Sequence, residues 1–276
     1  MSSRKLSSAE KYFLIGDDLR LNGKFEAALD AYSKGLEISP DNEKVWNNCG
    51  VALANLGKYE DALKAYEKAI EINPAYAKAW NNKGASQDGL TRFGEALKSY
   101  SRAVELDPNY KKAWVNMAMV LTKMYRSDEA LSAIDAVIKI NPGDYEAWHF
   151  RGTALGNLGR YEEAIASFDK ALIINSAHEA IWNNKGAALE YLGRLEEALK
   201  AYNGALELNP NYQKAWFNKG NVLASLGKPQ EALAALDRAT ELNPKDYEAW
   251  YQKGMVLSTL ARHAESVKAF DKALLH

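Results

Sequence analysis

The chain has 276 residues, of which 47% are hydrophobic and 26% are charged, so it contains enough apolar material for a continuous core. Its 35 Lys and Arg residues nearly balance its 36 Asp and Glu residues, and the net charge of -1 gives no global bias towards nucleic acid or anionic lipid. The single cysteine, Cys49, excludes an internal disulfide framework and a metal site built from several cysteines.

The chain starts with the polar segment MSSRKLSSAEKYF, which lacks the apolar stretch of a secretion signal. No apolar run approaches the roughly 20 residues of a membrane span. We therefore expect residues 1–8 to form an N-terminal tail on a soluble, cytoplasmic protein. Neither a membrane nor a nucleic acid is expected among its partners.

A 34-residue repeat follows this tail. If tryptophan is the fourth residue of each repeat, the repeats begin at residues 9, 43, 77, 111, 145, 179, 213 and 247, and the eighth stops at residue 276, four residues short. Tyr12 takes the place of tryptophan in the first repeat, and Ser176 and Ala118 are single exceptions in the proline and glycine columns. The columns in register are Trp46, Trp80, Trp114, Trp148, Trp182, Trp216 and Trp250, Pro40, Pro74, Pro108, Pro142, Pro210 and Pro244, and Gly16, Gly50, Gly84, Gly152, Gly186, Gly220 and Gly254.

Each repeat is predicted to contain two helices. In KVWNNCGVALANLGKYEDALKAYEKAIEINP, apolar residues recur at helical spacing in two blocks, separated at Gly57 by a glycine of the kind that ends helices. Asn-Pro or Asp-Pro pairs separate most repeats, because the residue before proline disfavours helix. No single repeat can bury its apolar face alone, so the repeats are expected to stack.

The pattern W..KG..L..LG.YE.A...Y..A.EI.P resembles the tetratricopeptide repeat over residues 9–276. The resemblance implies an all-α fold, a right-handed superhelical solenoid of eight helix–turn–helix repeats with the last truncated. It also implies that the first helices line a concave groove that binds protein or peptide. Ile134 and Leu236 replace the usual second-helix aromatic, and Ser127 and His263 replace the usual turn aromatic, and repeats 4 and 8 are expected to be the least regular.

The recurring WNNKG motif supplies candidate groove residues. Measured around the helix from tryptophan, the glycine lies at about 40° and faces the core, the first asparagine lies at about 100°, and the second lies at about 200° and points outward. Exposed amides can donate and accept hydrogen bonds, which suits the backbone of an extended peptide. The alternative is that these amides bond between neighbouring helices. The candidates are Asn47, Asn48, Asn81, Asn82, Asn116, Asn184 and Asn218.

Two further sets of residues fall on the predicted groove face. Lys44, Lys78 and Lys112 align two residues before tryptophan and favour an acidic peptide or a free C-terminus, unless they form only a solvated row. Further along the chain the face becomes apolar, and its candidate anchors are Phe150, Phe217 and Tyr251, unless these rings pack against each other. By contrast, we expect the long cations three residues after tryptophan, such as Lys83, to cover apolar surface with their stems and not to bind ligand.

No catalytic or cofactor motif is present. The sequence lacks a G-x-x-x-x-G-K-[ST] loop and an H-E-x-x-H helix, and its four histidines have no metal-ligand spacing. We therefore expect no enzymatic activity, no cofactor and no metal.

Three functions remain compatible with this pattern. The first is a scaffold that binds an extended peptide or a helix in its concave groove. The second is a structural module that self-associates through its last repeat, where Val267, Phe270 and Leu274 are expected to be exposed. The third is the targeting arm of a longer enzyme cut at its C-terminus.

Overall fold

The structure is a computed structural model that describes residues 6–275. Within this range the chain forms sixteen α-helices and no strand, the all-α fold that the sequence predicts. The helices are α1 (Ser8–Leu21), α2 (Phe25–Ile38), α3 (Glu43–Asn55), α4 (Tyr59–Ile72), α5 (Ala77–Gly89), α6 (Phe93–Leu106), α7 (Lys111–Lys123), α8 (Ser127–Ile140), α9 (Tyr145–Asn157), α10 (Tyr161–Ile174), α11 (Glu179–Tyr191), α12 (Leu195–Leu208), α13 (Gln213–Ser225), α14 (Pro229–Leu242), α15 (Tyr247–Thr259) and α16 (His263–Leu274).

The chain divides into two compact units, an N-terminal unit (Met1–Ile140) and a C-terminal unit (Asn141–His276). Of the predicted tail, residues 1–5 lie outside the described residues. Ser7 caps α1, because its side chain accepts a hydrogen bond from the backbone of Glu10 while the Glu10 carboxylate accepts one from the backbone of Ser7. The first helix therefore begins at Ser8, one residue inside the predicted tail.

Each repeat is a pair of helices, an odd-numbered first helix and an even-numbered second helix. From the second repeat onward, the first helices begin at residues 43, 77, 111, 145, 179, 213 and 247. Within each unit, the second helix of one repeat packs against the first helix of the next, and neighbouring first helices also contact each other. The handedness of the predicted superhelix stays a prediction.

Close packing within a repeat depends on the glycine column. A Cβ atom built on Gly84 would lie 2.8 Å from the ring of Tyr100, which is buried on the second helix. Ala118 and Ile134 occupy the corresponding positions of repeat 4. In repeat 4 both members of this facing pair therefore depart from the repeat pattern, whereas in repeat 7 the Leu236 side chain still leaves no room for a Cβ atom on Gly220.

The turn between the two helices of a repeat needs one residue with positive φ. Glycine supplies it in five repeats, with φ between 72° and 74°, whereas Thr91, Tyr125 and Ala261 adopt φ of 58–60° in repeats 3, 4 and 8. A residue with a Cβ atom is strained in this region. Repeat 4 keeps helices of 13 and 14 residues, so its departures are the turn and the Ala118–Ile134 pair.

The shared period of tryptophan and proline has a direct structural cause. The Trp46 indole Nε1 donates a hydrogen bond to the Pro40 carbonyl oxygen at 2.8 Å, and the tryptophans of repeats 3 to 8 donate equivalent bonds. Trp182 donates to the Ser176 carbonyl at 3.1 Å. Because the acceptor is a backbone oxygen, serine replaces proline there without loss of the bond. Each indole thus fixes the linker that leads into its own repeat.

Candidate protein-binding surface

The first helices of the N-terminal unit run parallel and in register. Asn82 Nδ2 on α5 donates to Asn47 Oδ1 on α3 at 2.9 Å, and Asn116 Nδ2 on α7 donates to Asn81 Oδ1 on α5 at 2.9 Å. Both bonds join residues 35 positions apart, one more than the repeat. A constant offset of this kind requires that the same ends of neighbouring first helices lie side by side.

These bonds belong to a series that we call the asparagine ladder, in which the second asparagine of one repeat donates to the first helix of the preceding repeat. At the start of the N-terminal unit, Asn48 Nδ2 donates to Asp17 Oδ1 at 2.8 Å. In the C-terminal unit, Asn218 Nδ2 donates to Asn183 Oδ1 at 3.0 Å, and Asn184 Nδ2 lies 3.0 Å from His149 Nε2. The structure therefore agrees with the alternative that the amides bond between neighbouring helices.

The exposure expected for the first asparagine is wrong. Asn47 and Asn81 are 4% and 0% exposed, because the flank of the helix on which they lie is covered by the neighbouring first helix. The second asparagines, which the sequence places facing outward, are half-buried, and their Nδ2 groups already have acceptors. The helical wheel gave the correct angle for these residues but did not show which neighbour covers it.

His149 takes the place of asparagine in the ladder of the C-terminal unit. Its ring centroid lies 5.7 Å from that of His178, and the two rings pack among Tyr145, Phe150 and Phe168. Burial first, and the neighbouring His178 second, lower the pKa of His149 to about 4. The ring is therefore neutral near pH 7, and its Nε2 accepts the hydrogen bond if Nδ1 carries the proton.

The three predicted groove lysines are exposed and lie at the same end of three neighbouring helices. Lys44, Lys78 and Lys112 each follow the first residue of α3, α5 and α7. Within residues 6–275, none of their ammonium groups takes part in an ion pair or a side-chain hydrogen bond. Cations are unfavourable at this end of a helix, since the helix dipole is positive there. Helix stability therefore does not account for this row of lysines.

The predicted aromatic anchors differ in accessibility. Phe150 is 44% exposed and stacks on His149, and Tyr251 is 50% exposed and lies against Phe270. Phe217 instead packs against the core cluster around Leu236 and is only partly exposed. Two of the three rings are thus exposed while each packs against a neighbouring ring, and their role as anchors stays a prediction.

A second column of contacts, of which the sequence predicts only the lysine stems, crosses the clefts between consecutive second helices. Lys83 lies over the Trp80 ring and pairs with Glu67 on the preceding second helix at 2.9 Å. The same arrangement recurs in the C-terminal unit, where Lys185 and Lys253 lie over their own tryptophans and pair with Asp169 at 2.6 Å and Asp237 at 2.8 Å. The acidic partner precedes each lysine by the same number of positions, so the repeat period itself could have indicated it.

Other features of the described residues bear on the remaining expectations. On α16, Val267 and Leu274 are 57% and 85% exposed, whereas Phe270, which was expected to be exposed, is partly buried beside Tyr251. Over residues 6–275, no helix is long and apolar enough to cross a membrane. The same residues bring together no group of three or more His, Cys, Asp or Glu side chains that could hold a metal ion.

Three solved structures illustrate the similarity of the fold. YrrB, described as a TPR protein with an unusual peptide-binding site, is 24% identical over 68% of this chain and 96% of its own, with a TM-score of 0.60. MamA is 28% identical over 59% of this chain and 95% of its own, with a TM-score of 0.55. The C-terminal part of a TPR repeat-containing protein from Cytophaga hutchinsonii is 18% identical over 86% and 97%, with a TM-score of 0.75.

A search of curated proteins found no significant match. Family models described as tetratricopeptide repeat match residues 43–76, 90–153, 145–178, 214–246 and 235–268, and one described as TPR repeat matches residues 16–57 and 191–227. Together these matches cover most of the chain. The chain therefore belongs to the tetratricopeptide repeat family, and its repeats form a module for protein–protein interaction.

Proposed function

We propose that the first helices of the N-terminal unit bind an extended acidic segment of a partner protein. The observation that carries this proposal is the row of Lys44, Lys78 and Lys112, which is exposed, in register and without acidic partners among the described residues. An acidic ligand would satisfy these lysines and would also face the positive ends of the three helix dipoles. In this proposal the asparagine ladder sets the spacing of the lysines and does not itself supply free amides.

The spacing of the row indicates how acidic residues should be arranged in the ligand. Packed helices lie about 8–10 Å apart, so neighbouring lysines are separated by about that distance. An extended chain advances about 3.3–3.6 Å for each residue. Three residues of an extended peptide therefore match one repeat, and we expect the preferred ligand to carry Asp or Glu at every third position.

The experiment compares two fluorescent peptides of identical composition, one with Asp at every third position and one with its Asp residues clustered. Fluorescence polarisation at low and high salt measures their affinities for the parent chain and for the triple variant Lys44→Glu, Lys78→Glu and Lys112→Glu. The matched control reverses three exposed lysines on second helices, Lys34, Lys64 and Lys98, with the same change in net charge.

We expect the spaced peptide to bind more tightly than the clustered one, and its affinity to fall as salt screens the charges. The first-helix variant should lose at least about tenfold in affinity, whereas the second-helix control should lose only about as much as a general change in net charge produces. Equal losses in the two triple variants would show that the binding is non-specific electrostatics and would reject the proposal.

For the C-terminal unit, we propose that the exposed rings of Phe150 and Tyr251 bind an apolar segment. Rings of this size supply large contact areas at little cost in conformational entropy. Replacing both with serine should weaken binding of a neutral, apolar peptide with little dependence on salt. Unchanged affinity for the double variant would show that these rings serve only to pack against His149 and Phe270.

A second candidate function is self-association, which the exposed Val267 and Leu274 on α16 favour. Apolar side chains that lie together on an exposed helix face are typical of interaction surfaces. Light scattering over a range of concentrations tests this alternative. A molar mass that rises with concentration in the parent chain, and stays that of the monomer in the variant Val267→Glu and Leu274→Lys, would support it. A monomer at all concentrations would reject it.

A further inference from the structure

The clefts between consecutive second helices follow a pairing rule. The residue three positions after tryptophan lies opposite a second-helix residue 16 positions earlier in the chain, as Lys83 does with Glu67. In three pairs whose members lie in the same unit, the residue after tryptophan is lysine and its second-helix partner is acidic. These pairs are Lys83 with Glu67, Lys185 with Asp169 and Lys253 with Asp237. These lysine side chains are only 18–22% exposed, so each lysine lies within its cleft and crosses it.

Two pairs without an acid show what this rule requires. In repeat 4, Met117 replaces the lysine and Ser101 replaces the acid, and the Ser101 hydroxyl lies 3.8 Å from the methionine sulfur. In repeat 7, Lys219 lies over Trp216 but faces Asn203. Burial lowers the pKa of Lys219, while the negative charge of Glu231 acts in the opposite direction. A neutral second-helix residue is therefore compatible with an apolar occupant, as Met117 shows.

Repeat 2 has the neutral pair but lacks the side chain that would fill the cleft. Ser33 stands in the position of the acid and Cys49 in the position of the lysine. Cys49 is 6% exposed and lies at the floor, and burial raises the pKa of its thiol to about 12, so it is a small apolar group. The thiol is too short to cover the Trp46 ring, as lysine covers the rings of Trp80 and Trp250.

The result is an open cleft of about 740 Å³ between α2 and α4. Its apolar wall consists of Leu29, Leu36, Trp46 and Leu53, with Ala65 from α4. The equivalent cleft at the end of the C-terminal unit, which the Lys253–Asp237 pair crosses, has about 520 Å³. The N-terminal cleft is thus larger and more apolar because its own occupant is absent.

The rim of this cleft carries one acidic residue, Asp30, that the other repeats lack. Asp30 lies on α2 one turn before Ser33, where the corresponding residues of the other repeats are Lys, Ser or Ala. Glu37 lies one turn after Ser33 on the same helix. Both side chains are exposed, and neither forms an ion pair with any residue that the structure describes. Asp61, on the opposite side, is already paired with Lys64.

We propose that this cleft, on the second-helix side of repeats 1 and 2, binds an unbranched apolar side chain, methionine or leucine, from a partner protein, next to a lysine or arginine. The apolar side chain would lie over Trp46, in the place that Met117 fills in repeat 4. The neighbouring cation would pair with Asp30 or Glu37. This site is distinct from the lysine row of the first helices, and it selects a partner of the opposite charge.

Variants of the cleft can be designed from residues that the chain already uses elsewhere. Cys49→Met copies the Met117–Ser101 pair, and Ser33→Glu with Cys49→Lys copies the Lys83–Glu67 pair. Both should fill the cleft without disturbing the helices, which circular dichroism and thermal melting check. Conversely, Glu67→Ser with Lys83→Cys should open a corresponding cleft in the next repeat.

The experiment selects a displayed library of random 12-residue peptides on the parent chain in the presence of excess soluble Cys49→Met variant. Enriched peptides are then measured by fluorescence polarisation against the parent, the two filled variants, Asp30→Asn with Glu37→Gln, and the opened variant. We expect peptides with Met or Leu beside Lys or Arg that bind the parent at least about tenfold more tightly than either filled variant. The neutralised rim should bind them less tightly, and the opened variant should gain no second site for them, because Lys64 stands there in the position of Asp30.

Two results would overturn the proposal. One is that no peptide distinguishes the parent from the filled variants, in which case the cleft has no partner of this chemistry. The other is that the discriminating peptides lack an apolar residue, or bind the neutralised rim as tightly as the parent. If Cys49→Met fails to fold, the Ser33→Glu and Cys49→Lys variant gives the same comparison.

Discussion

The asparagine ladder makes a prediction about stability that is specific to each of its bonds. Asn82→Ala removes the donor to Asn47 Oδ1, and Asn116→Ala removes the donor to Asn81 Oδ1. Both acceptor residues are buried, so water cannot easily replace the lost donor. A buried acceptor without a partner costs about 1–3 kcal/mol, and we expect a loss of this size in the free energy of unfolding for each variant.

Asn48→Ala provides a comparison within the same ladder. Its acceptor, the Asp17 carboxylate, is 41% exposed and also accepts a hydrogen bond from the Tyr32 hydroxyl at 2.6 Å. Asp17 keeps that bond and can reach water, and the bond that Asn48 Oδ1 accepts from Asn47 Nδ2 is long at 3.4 Å, so we expect Asn48→Ala to cost no more than about 1 kcal/mol. Lys78→Ala, an exposed change on the same helix as Asn82, should stay within about 0.5 kcal/mol.

Thermal melting followed by circular dichroism measures these differences, because one kcal/mol shifts the melting temperature by about 2–4 °C in a chain of this size. We expect Asn82→Ala and Asn116→Ala to melt several degrees below the parent, with Asn48→Ala between them and Lys78→Ala. If all four variants melt within error of one another, the amides do not hold the first helices together and the ladder has no energetic role.

Three further predictions concern packing, turns and pH. Gly84→Ala should destabilise the chain by about 1–3 kcal/mol, because its new Cβ meets the Tyr100 ring. A double-mutant cycle with Tyr100→Ile should show favourable coupling, because repeat 4 combines Ala118 with Ile134 at the same two positions. Ala261→Gly should raise stability by about 0.5–1 kcal/mol in urea unfolding by relieving a residue held at φ 58°, and a decrease would show that this turn is not strained. Because the pKa of His149 is lowered to about 4 in the folded chain and is near 6.5 when unfolded, its contribution to stability is lost as pH falls from about 6.5 towards about 4. His149→Asn should therefore melt with a weaker dependence on pH over this range than the parent, and parallel curves would contradict the assignment.

The repeat architecture could be predicted from the sequence because it depends on columns of single residue types. From the second repeat onward, one hydrogen bond joins the tryptophan column to the column of linker prolines. The glycine column is in close contact with the second-helix column of large side chains such as Tyr100. Residues that contact each other in every repeat must recur with the same 34-residue period. The exposed lysine row was also predictable, since it needs only the helical angle. These features involve residues within one repeat or on one face of one helix.

Contacts between repeats were harder to predict. Asn81 lies at the expected angle, yet it is buried because a neighbouring helix covers that flank, and a helical wheel does not contain the neighbour. The acidic partner of Lys83 lies on the preceding second helix, so it emerges only when the columns of two different helices are compared. The cleft at Cys49 is open because no long side chain fills it, and the only sign of this in the sequence is that the residue at position 49 is short.

The central claim, that acidic segments bind across the first helices of the N-terminal unit, can be tested by measuring where the bound peptide lies. A fluorophore is attached at Ala85→Cys on the first helix α5 or at Lys98→Cys on the second helix α6, both exposed. Cys49 should react little, because it is buried and burial raises the pKa of its thiol to about 12. When the spaced acidic peptide carries a quencher, we predict strong quenching at position 85, weak quenching at position 98, and loss of both when Lys44, Lys78 and Lys112 are changed to glutamate. Equal quenching at the two positions, or quenching that survives the triple change, would contradict the claim.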